Sequence, residues 1–74
     1  MPKLPALTAK TVIKILEKSG FVLKRISGSH YVFVHPETKK RVIVPYHNKE
    51  VAKGTLLQIL EDAGISRRDL EELL

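Results

Sequence analysis

Apolar and polar positions alternate at helical spacing near the start of the chain. The pattern predicts a helix from about Ala9 to Ser19, with Thr8 placed to cap its beginning and Gly20 placed to end it. Its apolar face is formed by Val12, Ile13 and Leu16. Its opposite face carries a lysine at every fourth position, namely Lys10, Lys14 and Lys18. Such a stripe is more typical of a solvated helix surface than of a binding site.

Three strand-like runs follow this helix. They span Phe21 to Ser27, His30 to His35 and Arg41 to Val44. Gly28-Ser29 joins the first two as a short turn, because glycine accepts the positive φ that tight hairpins need. Residues 36–40 join the second run to the third, which ends at Pro45 because proline has no N–H for a strand ladder. The runs therefore predict an antiparallel meander.

The second run carries apolar side chains on both of its faces. One face holds His30, Val32 and Val34. The other face holds Tyr31, Phe33 and His35. Because neither set is purely polar, the sequence leaves open which face of the predicted sheet is buried.

A second helical pattern follows a polar connector that runs from Tyr46 to Lys53. This helix is predicted to begin at Gly54 or Thr55 and to end at Ala63, before Gly64. Its apolar positions are Leu56, Leu57, Ile59 and Leu60. The helical period and the glycine stop together predict a helix that docks one face on the sheet.

The last residues predict a short third helix. Ser66 and Asp69 have the spacing of a capping box, and the apolar side is formed by Leu70, Leu73 and Leu74. The element order is then helix, three antiparallel strands and two helices. We expect a single α+β domain over residues 1–74, with the helices gathered on one face of the sheet.

Composition limits the class of protein. A chain of 74 residues has room for one small core, and its 43% hydrophobic content is that of a folded domain. Without cysteine there is no disulfide framework and no thiolate metal site, which favours the reducing cytoplasm. The segment from Met1 to Pro5 lacks the apolar run of a signal peptide, and no stretch is long enough to span a bilayer.

Positive charge is concentrated in the first two thirds of the chain. Residues 1–53 hold 11 basic and 3 acidic side chains, a net charge of +8, whereas residues 54–74 hold 2 basic and 5 acidic ones, a net charge of −3. A basic surface of this kind favours a polyanionic partner such as nucleic acid, although many basic surfaces are merely solvated.

Few residues are suited to catalysis. The sequence has no cysteine nucleophile, no glycine-rich phosphate loop and no zinc-binding spacing, which leaves His30, His35 and His47. Histidine exchanges protons near neutral pH, as attack of a ribose 2′-hydroxyl on its phosphate requires. His30 is distinguished by its place at the head of a strand, beside a turn and near Lys24 and Arg25. The alternative is an ordinary strand histidine after a hairpin turn.

Five short segments resemble one known family in their order and spacing. They are Gly20-Phe21-Val22-Leu23-Lys24-Arg25, Gly28-Ser29-His30-Tyr31, Val44-Pro45-Tyr46-His47, Lys53-Gly54-Thr55-Leu56 with Ile59-Leu60, and Ala63-Gly64-Ile65-Ser66. From about Thr8 to Leu74 the chain resembles the HicA toxins of bacterial toxin–antitoxin systems. Chance agreement of all five segments in so short a chain is improbable.

This resemblance implies a fold like that of the double-stranded-RNA-binding domain. It also implies a metal-independent endoribonuclease without a cofactor, which cleaves messenger RNA as the toxin of a type II system. The catalytic histidine of the family's Gly-Ser-His motif corresponds to His30. A HicB antitoxin is the implied protein partner, and an acidic inhibitor would suit this cationic toxin.

The remaining site residues are chosen on charge and on their closeness to these motifs. The expected RNA contacts are Lys24, Arg25, Ser29, Lys49 and Lys53. Possible auxiliary residues are His47 and Thr55, the latter beside a helix start whose N–H groups can meet a phosphate. A structural role remains an alternative for each, and the second acid or base stays unassigned. For the whole protein, the alternatives are a non-catalytic RNA-binding module and a structural adaptor domain.

Overall fold

The computed structural model describes residues 5–74 and contains one three-stranded sheet and three helices. The elements in chain order are α1 (Ala9–Lys18), β1 (Val22–Ser27), β2 (His30–Val34), β3 (Arg41–Pro45), α2 (Lys53–Ala63) and α3 (Arg67–Leu73). The strands are antiparallel and lie in the order β1-β2-β3. The predicted α+β class and the predicted meander are both confirmed.

Helix α1 begins and ends as its sequence predicts. The Thr8 hydroxyl accepts a hydrogen bond from the Thr11 N–H at 3.4 Å, which caps the first turn. At the other end Gly20 has a φ of 95°, and the N–H of Phe21 donates to the carbonyl of Leu16. This is the Schellman arrangement, in which a glycine reverses the chain after the last helical turn. The chain therefore leaves α1 directly into β1.

The helices cover one face of the sheet, and the register shows which. Phe33 lies opposite Val42 and Tyr31 lies opposite Val44, and direct cross-strand partners share a face. Phe33, Val42 and Val44 are buried in the same core as the helices, with Tyr31 packed against it. The sequence did not decide which face of β2 is buried, and the structure shows that it is the face formed by Tyr31 and Phe33.

The opposite face of the sheet lies outside this core. Val32 is buried although it does not belong to the core cluster, and its cross-strand partner Ile43 is 47% exposed. His30 and Val34 share this face with Val32 because side chains of a strand alternate. We call it the open face of the sheet.

The core is completed by apolar positions of all three helices. Helices α1 and α2 pack against β3, and α3 packs against α1. The buried helical residues are Ala9, Val12, Ile15 and Leu16 of α1, Leu56, Ile59, Leu60 and Ala63 of α2, and Leu70 of α3. Ile15 is buried, whereas Ile13, which the sequence pattern placed on the apolar face, is only partly buried.

Helix α2 begins earlier than its pattern indicated. Its first residue is Lys53 and its N-cap is Ala52, so Thr55 lies inside the first turn and does not cap the helix. Helix α3 has the predicted capping box, in which Ser66 and Asp69 exchange hydrogen bonds.

Among the described residues, no helix has the length and apolar character needed to cross a membrane.

Candidate functional site

His30 is the first residue of the central strand. It follows the two-residue turn Gly28-Ser29, in which Gly28 has a φ of 59°. Its backbone pairs with Ser27 on one side and with Pro45 on the other, while the residue itself is exposed. Two strands therefore fix the position of His30, and its imidazole remains accessible to a large substrate.

The segment after β3 is hydrogen-bonded to the turn that precedes His30. The Tyr46 N–H donates to the carbonyl of Ser29 at 2.6 Å, which ties the β1–β2 turn to the end of β3. The rings of Tyr31 and Tyr46 stack with their centroids 4.8 Å apart and their planes 24° from parallel. The backbone at residues 46–47 is therefore held next to the turn that carries His30.

The far end of the connector is also anchored. The Val51 N–H donates to the carbonyl of Leu7 at 2.7 Å, and Thr8 and Glu50 form a single antiparallel bridge. The segment between Tyr46 and Val51 is thus fixed at both ends although it belongs to no helix and no extended strand. This places the connector side chains against the start of α2.

Three of the sequence-predicted residues meet in one cavity. A cavity of about 340 Å³ is lined by Pro45, His47, Lys49, Glu50, Val51, Ala52 and Thr55. His47, Lys49 and Thr55 therefore face one space, and Pro45 is the direct cross-strand neighbour of His30. We call this space the connector cavity. Its volume is at the lower end of the range of about 300–1,000 Å³ that small-molecule sites span.

The start of α2 borders the connector cavity. Its N-cap, Ala52, has no side chain that can accept a hydrogen bond, and its first turn carries no acidic residue. The first N–H groups of a helix have no intrahelical partner, and they carry the positive end of the helix dipole. Ala52 and Thr55 both line the cavity, so the start of α2 lies at its wall, and the exposed Lys53 is next to Ala52 in the chain.

Lys24 and Arg25 lie on the other side of His30. The register between β1 and β2 shifts here, so that Leu23 pairs with Phe33 and Arg25 pairs with Val32, leaving Lys24 as the extra residue of a β-bulge. Arg25 shares the open face with Val32 and is a diagonal neighbour of His30. The Cα atoms of such neighbours are about 7–8 Å apart. His30 is therefore flanked by cations of β1 and by the connector cavity.

His35 lies apart from this site. Five residues along an extended chain separate it from His30, a distance of about 16 Å. Its ring packs edge-on against Phe21 with centroids 5.3 Å apart. Its Nδ1 atom accepts hydrogen bonds from the N–H groups of Glu37 and Thr38, each at 3.2 Å. These contacts assign His35 to the stability of the β2–β3 turn.

Sequence reasoning did not identify Tyr46 or Tyr31 as parts of the site. The two aromatic rings are 15 residues apart in the chain, and only the sheet register brings them together. The available signal was the position of Tyr46 between Pro45 and His47, within one of the recognised segments. Within residues 5–74 no three His, Cys, Asp or Glu side chains form a group able to hold a metal ion.

The comparison with protein families finds a match over most of the chain. The sequence model of the family described as HicA toxin of bacterial toxin-antitoxin matches residues 9–65. The matched range contains α1, the whole sheet and α2, and with them every candidate site residue described above. The search of curated proteins returns no match.

Proposed function

The chain belongs to the HicA toxin family of bacterial toxin–antitoxin systems, and from this premise we propose that it is a metal-independent endoribonuclease with His30 as its catalytic residue. The observation that supports this most strongly is the position of His30. It is an exposed histidine on a rigid strand end, with cations of β1 on one side and the connector cavity on the other.

The proposed reaction requires only proton transfers and stabilisation of charge. His30 accepts the proton of a ribose 2′-hydroxyl. The 2′-oxygen then forms a bond to the adjacent phosphorus while the P–O5′ bond breaks. The departing 5′-oxygen takes a proton from a second acid or from water. Single-stranded RNA fits this chemistry because a flexible backbone can bring the 2′-oxygen, the phosphorus and the 5′-oxygen into line.

The connector cavity supplies the phosphate contacts in this proposal. Lys49 brings a cation to its wall, and the start of α2 adds N–H donors that favour an anion. Lys53 extends this surface, while Thr55 offers a hydroxyl. Such groups stabilise the charge that accumulates on the phosphorane oxygens as the reaction proceeds.

Other residues have narrower proposed roles. Arg25 and Lys24 bind a neighbouring phosphate from the β1 side, and the Ser29 hydroxyl contacts the backbone beside His30. His47 lines the cavity and is the proposed auxiliary residue. The substrate is proposed to be messenger RNA, and the antitoxin that the family implies is proposed to be of the HicB type.

The first experiment compares the protein with its His30→Ala variant on one messenger RNA. Both are incubated with and without EDTA, and the RNA is followed on a denaturing gel. We expect the wild-type protein to cut in EDTA and the variant to be slower by about 10²- to 10⁴-fold, because one general acid–base residue contributes that much. Circular dichroism establishes that the variant is folded.

Two outcomes would contradict the proposal. If both proteins shift the RNA on a native gel and neither cuts it, the chain is an RNA-binding module without catalysis. If cleavage requires a divalent metal ion, the metal-independent mechanism is wrong. RNA binding should fall steeply with added salt in either case, since binding releases counterions from the phosphates.

A further inference from the structure

Strand β1 is the most exposed element of the sheet. All six of its residues are exposed, and in the sheet order β1 is an edge strand that pairs only with β2 among the described elements. The outer edge of such a strand presents backbone N–H and C=O groups that lack strand partners. Such an edge is a template on which the strand of another chain can pair.

Apolar side chains are exposed along this same edge. Val22 is 57% exposed, Leu23 is 41% exposed and Ile26 is 52% exposed. Leu23 and Ile26 are opposite Phe33 and Tyr31, so they continue the helix-covered face of the sheet beyond the point where the helices cover it. An added strand would extend that apolar layer and remove these side chains from water.

The charges on β1 indicate the chemistry of the strand that fits. Lys24 and Arg25 lie between the apolar residues, in a region of the chain with a large excess of cations. If two copies of β1 paired antiparallel about their midpoint, Lys24 of one copy would face Arg25 of the other, and like charges opposite each other are destabilising. A strand that combines apolar and acidic side chains has no such conflict.

We propose that the antitoxin adds a strand with apolar and acidic side chains to the outer edge of β1. An antitoxin partner is what membership of the toxin family implies, and its acidic residues would pair with Lys24 and Arg25. Neighbouring strands lie about 4.8 Å apart, so the added strand would lie within about 10 Å of the β2 backbone that carries His30.

This pairing gives a route to inhibition that rests on the proposed function. The added strand occupies the two β1 cations that are proposed to hold RNA on one side of His30. RNA and antitoxin then compete for Lys24 and Arg25, and the toxin is inactive without any change in its fold. The pairing itself does not depend on RNA cleavage and is measured separately.

The direct test is amide hydrogen exchange of the full toxin, alone and with its purified antitoxin. Outward-facing amides of residues 22–27 should exchange at least about tenfold more slowly in the complex, because new strand hydrogen bonds close them to solvent. Amides of residues 41–44, on the other edge strand, serve as the comparison and should change little. Protection of residues 41–44 or of the helices without residues 22–27 would overturn the proposal.

A matched pair of variants tests the side chains. Ile26→Glu places an acidic group on the proposed edge, and Ile43→Glu makes the same change at a similarly exposed position of β3. We expect Ile26→Glu to weaken antitoxin binding at least about tenfold and Ile43→Glu to leave it within about threefold. Ile26→Thr, which keeps the β-branched shape that strands favour, should fold normally and give a smaller loss.

The results separate this inference from the proposed function. Protection of β1 in the complex, together with a free toxin that does not cut RNA, supports the interface and contradicts the nuclease. Normal cleavage by the free toxin, together with antitoxin binding by both glutamate variants that equals wild type, supports the nuclease and overturns the interface. A free toxin that forms a dimer, which Ile26→Glu dissociates, assigns the edge to a second copy of this chain and also overturns it.

Discussion

The two ends of β2 carry the same residue type in opposite surroundings. His30, at the beginning, is exposed beside a turn, with basic residues on β1 and the connector cavity next to Pro45. His35, just past the other end, packs against Phe21 and accepts hydrogen bonds from two backbone N–H groups. The presence of a histidine therefore says little about chemistry, because the surrounding residues determine what its side chain does.

The comparison also shows which of the two histidines has ring atoms already engaged by its own chain. At the His35 end, the ring contacts the chain that it stabilises, so its Nδ1 atom is already engaged. At the His30 end, the backbone is held by both neighbouring strands. Rigid backbone with an accessible side chain is the arrangement that positions a catalytic group.

The largest expected effect concerns the substrate at the His30 end. A DNA copy of a cleaved RNA should not be cut detectably, because it lacks the 2′-hydroxyl that His30 is proposed to deprotonate. Replacement of the single ribose at the cleavage position by deoxyribose should stop cleavage at that position alone. Denaturing electrophoresis of end-labelled strands measures both effects. Cutting of the DNA copy at a similar rate would contradict the proposed chemistry.

The next effect belongs to the His35 end and involves Gly20. The φ of 95° at Gly20 is disfavoured for other residues, and a Cβ there would lie 2.8 Å from Nε2 of His35. Because His35 is held by its hydrogen bonds and by Phe21, we expect Gly20→Ala to lower the free energy of unfolding by about 1–3 kcal/mol. Urea denaturation measures this loss. At low temperature, the folded variant should retain its cleavage activity.

Replacement of His35 should lower the free energy of unfolding by less than Gly20→Ala does. His35→Ala removes an acceptor for two N–H groups and the edge contact with Phe21, but these N–H groups are near the surface and can turn to water. We expect a loss of about 1 kcal/mol in the free energy of unfolding. His35→Asn should recover part of it, because an Asn side chain accepts from N–H groups at the same offset. If Asn and Ala are equally destabilising, the turn does not depend on this acceptor.

The smallest expected effect is on RNA binding through the connector cavity. Lys49→Ala should weaken binding a few-fold and reduce the slope of log K against log salt by about one, as the loss of one phosphate contact predicts. Arg68→Ala, on α3, removes an exposed cation from the acidic end of the chain and is the matched control. Filter binding over a salt series measures both variants. Equal slopes for the two would place Lys49 outside the RNA interface.

The sequence predicted the elements of the fold more closely than the arrangement around His30. Local signals placed the Thr8 cap, the Gly28-Ser29 turn and the end of β3 at Pro45, because caps, turns and proline act within a few residues. The buried face of β2 was not predictable, since both of its faces carry apolar side chains and only packing against the helices distinguishes them.

The candidate site depended on tertiary structure in the same way. No pattern along the chain shows that His47 and Thr55 face one cavity, because this follows from hydrogen bonds that anchor the connector at Tyr46 and Val51. The start of α2 at Lys53 was also missed, since Ala52 is not a residue that typically caps a helix. The position of His30 at the head of β2, in contrast, was predictable from the sequence because a hairpin turn fixes the residue that follows it.

The most direct test of the account compares the two histidines in one assay. Single-turnover cleavage of a defined RNA is measured for the wild-type protein, for His30→Ala and for His35→Asn, each at a temperature where it is folded. The account predicts a rate lower by about 10²- to 10⁴-fold for His30→Ala, and a rate within a few-fold of wild type for His35→Asn. Equal losses in the two variants, or an unchanged rate in His30→Ala, would contradict the assignment of catalysis to His30.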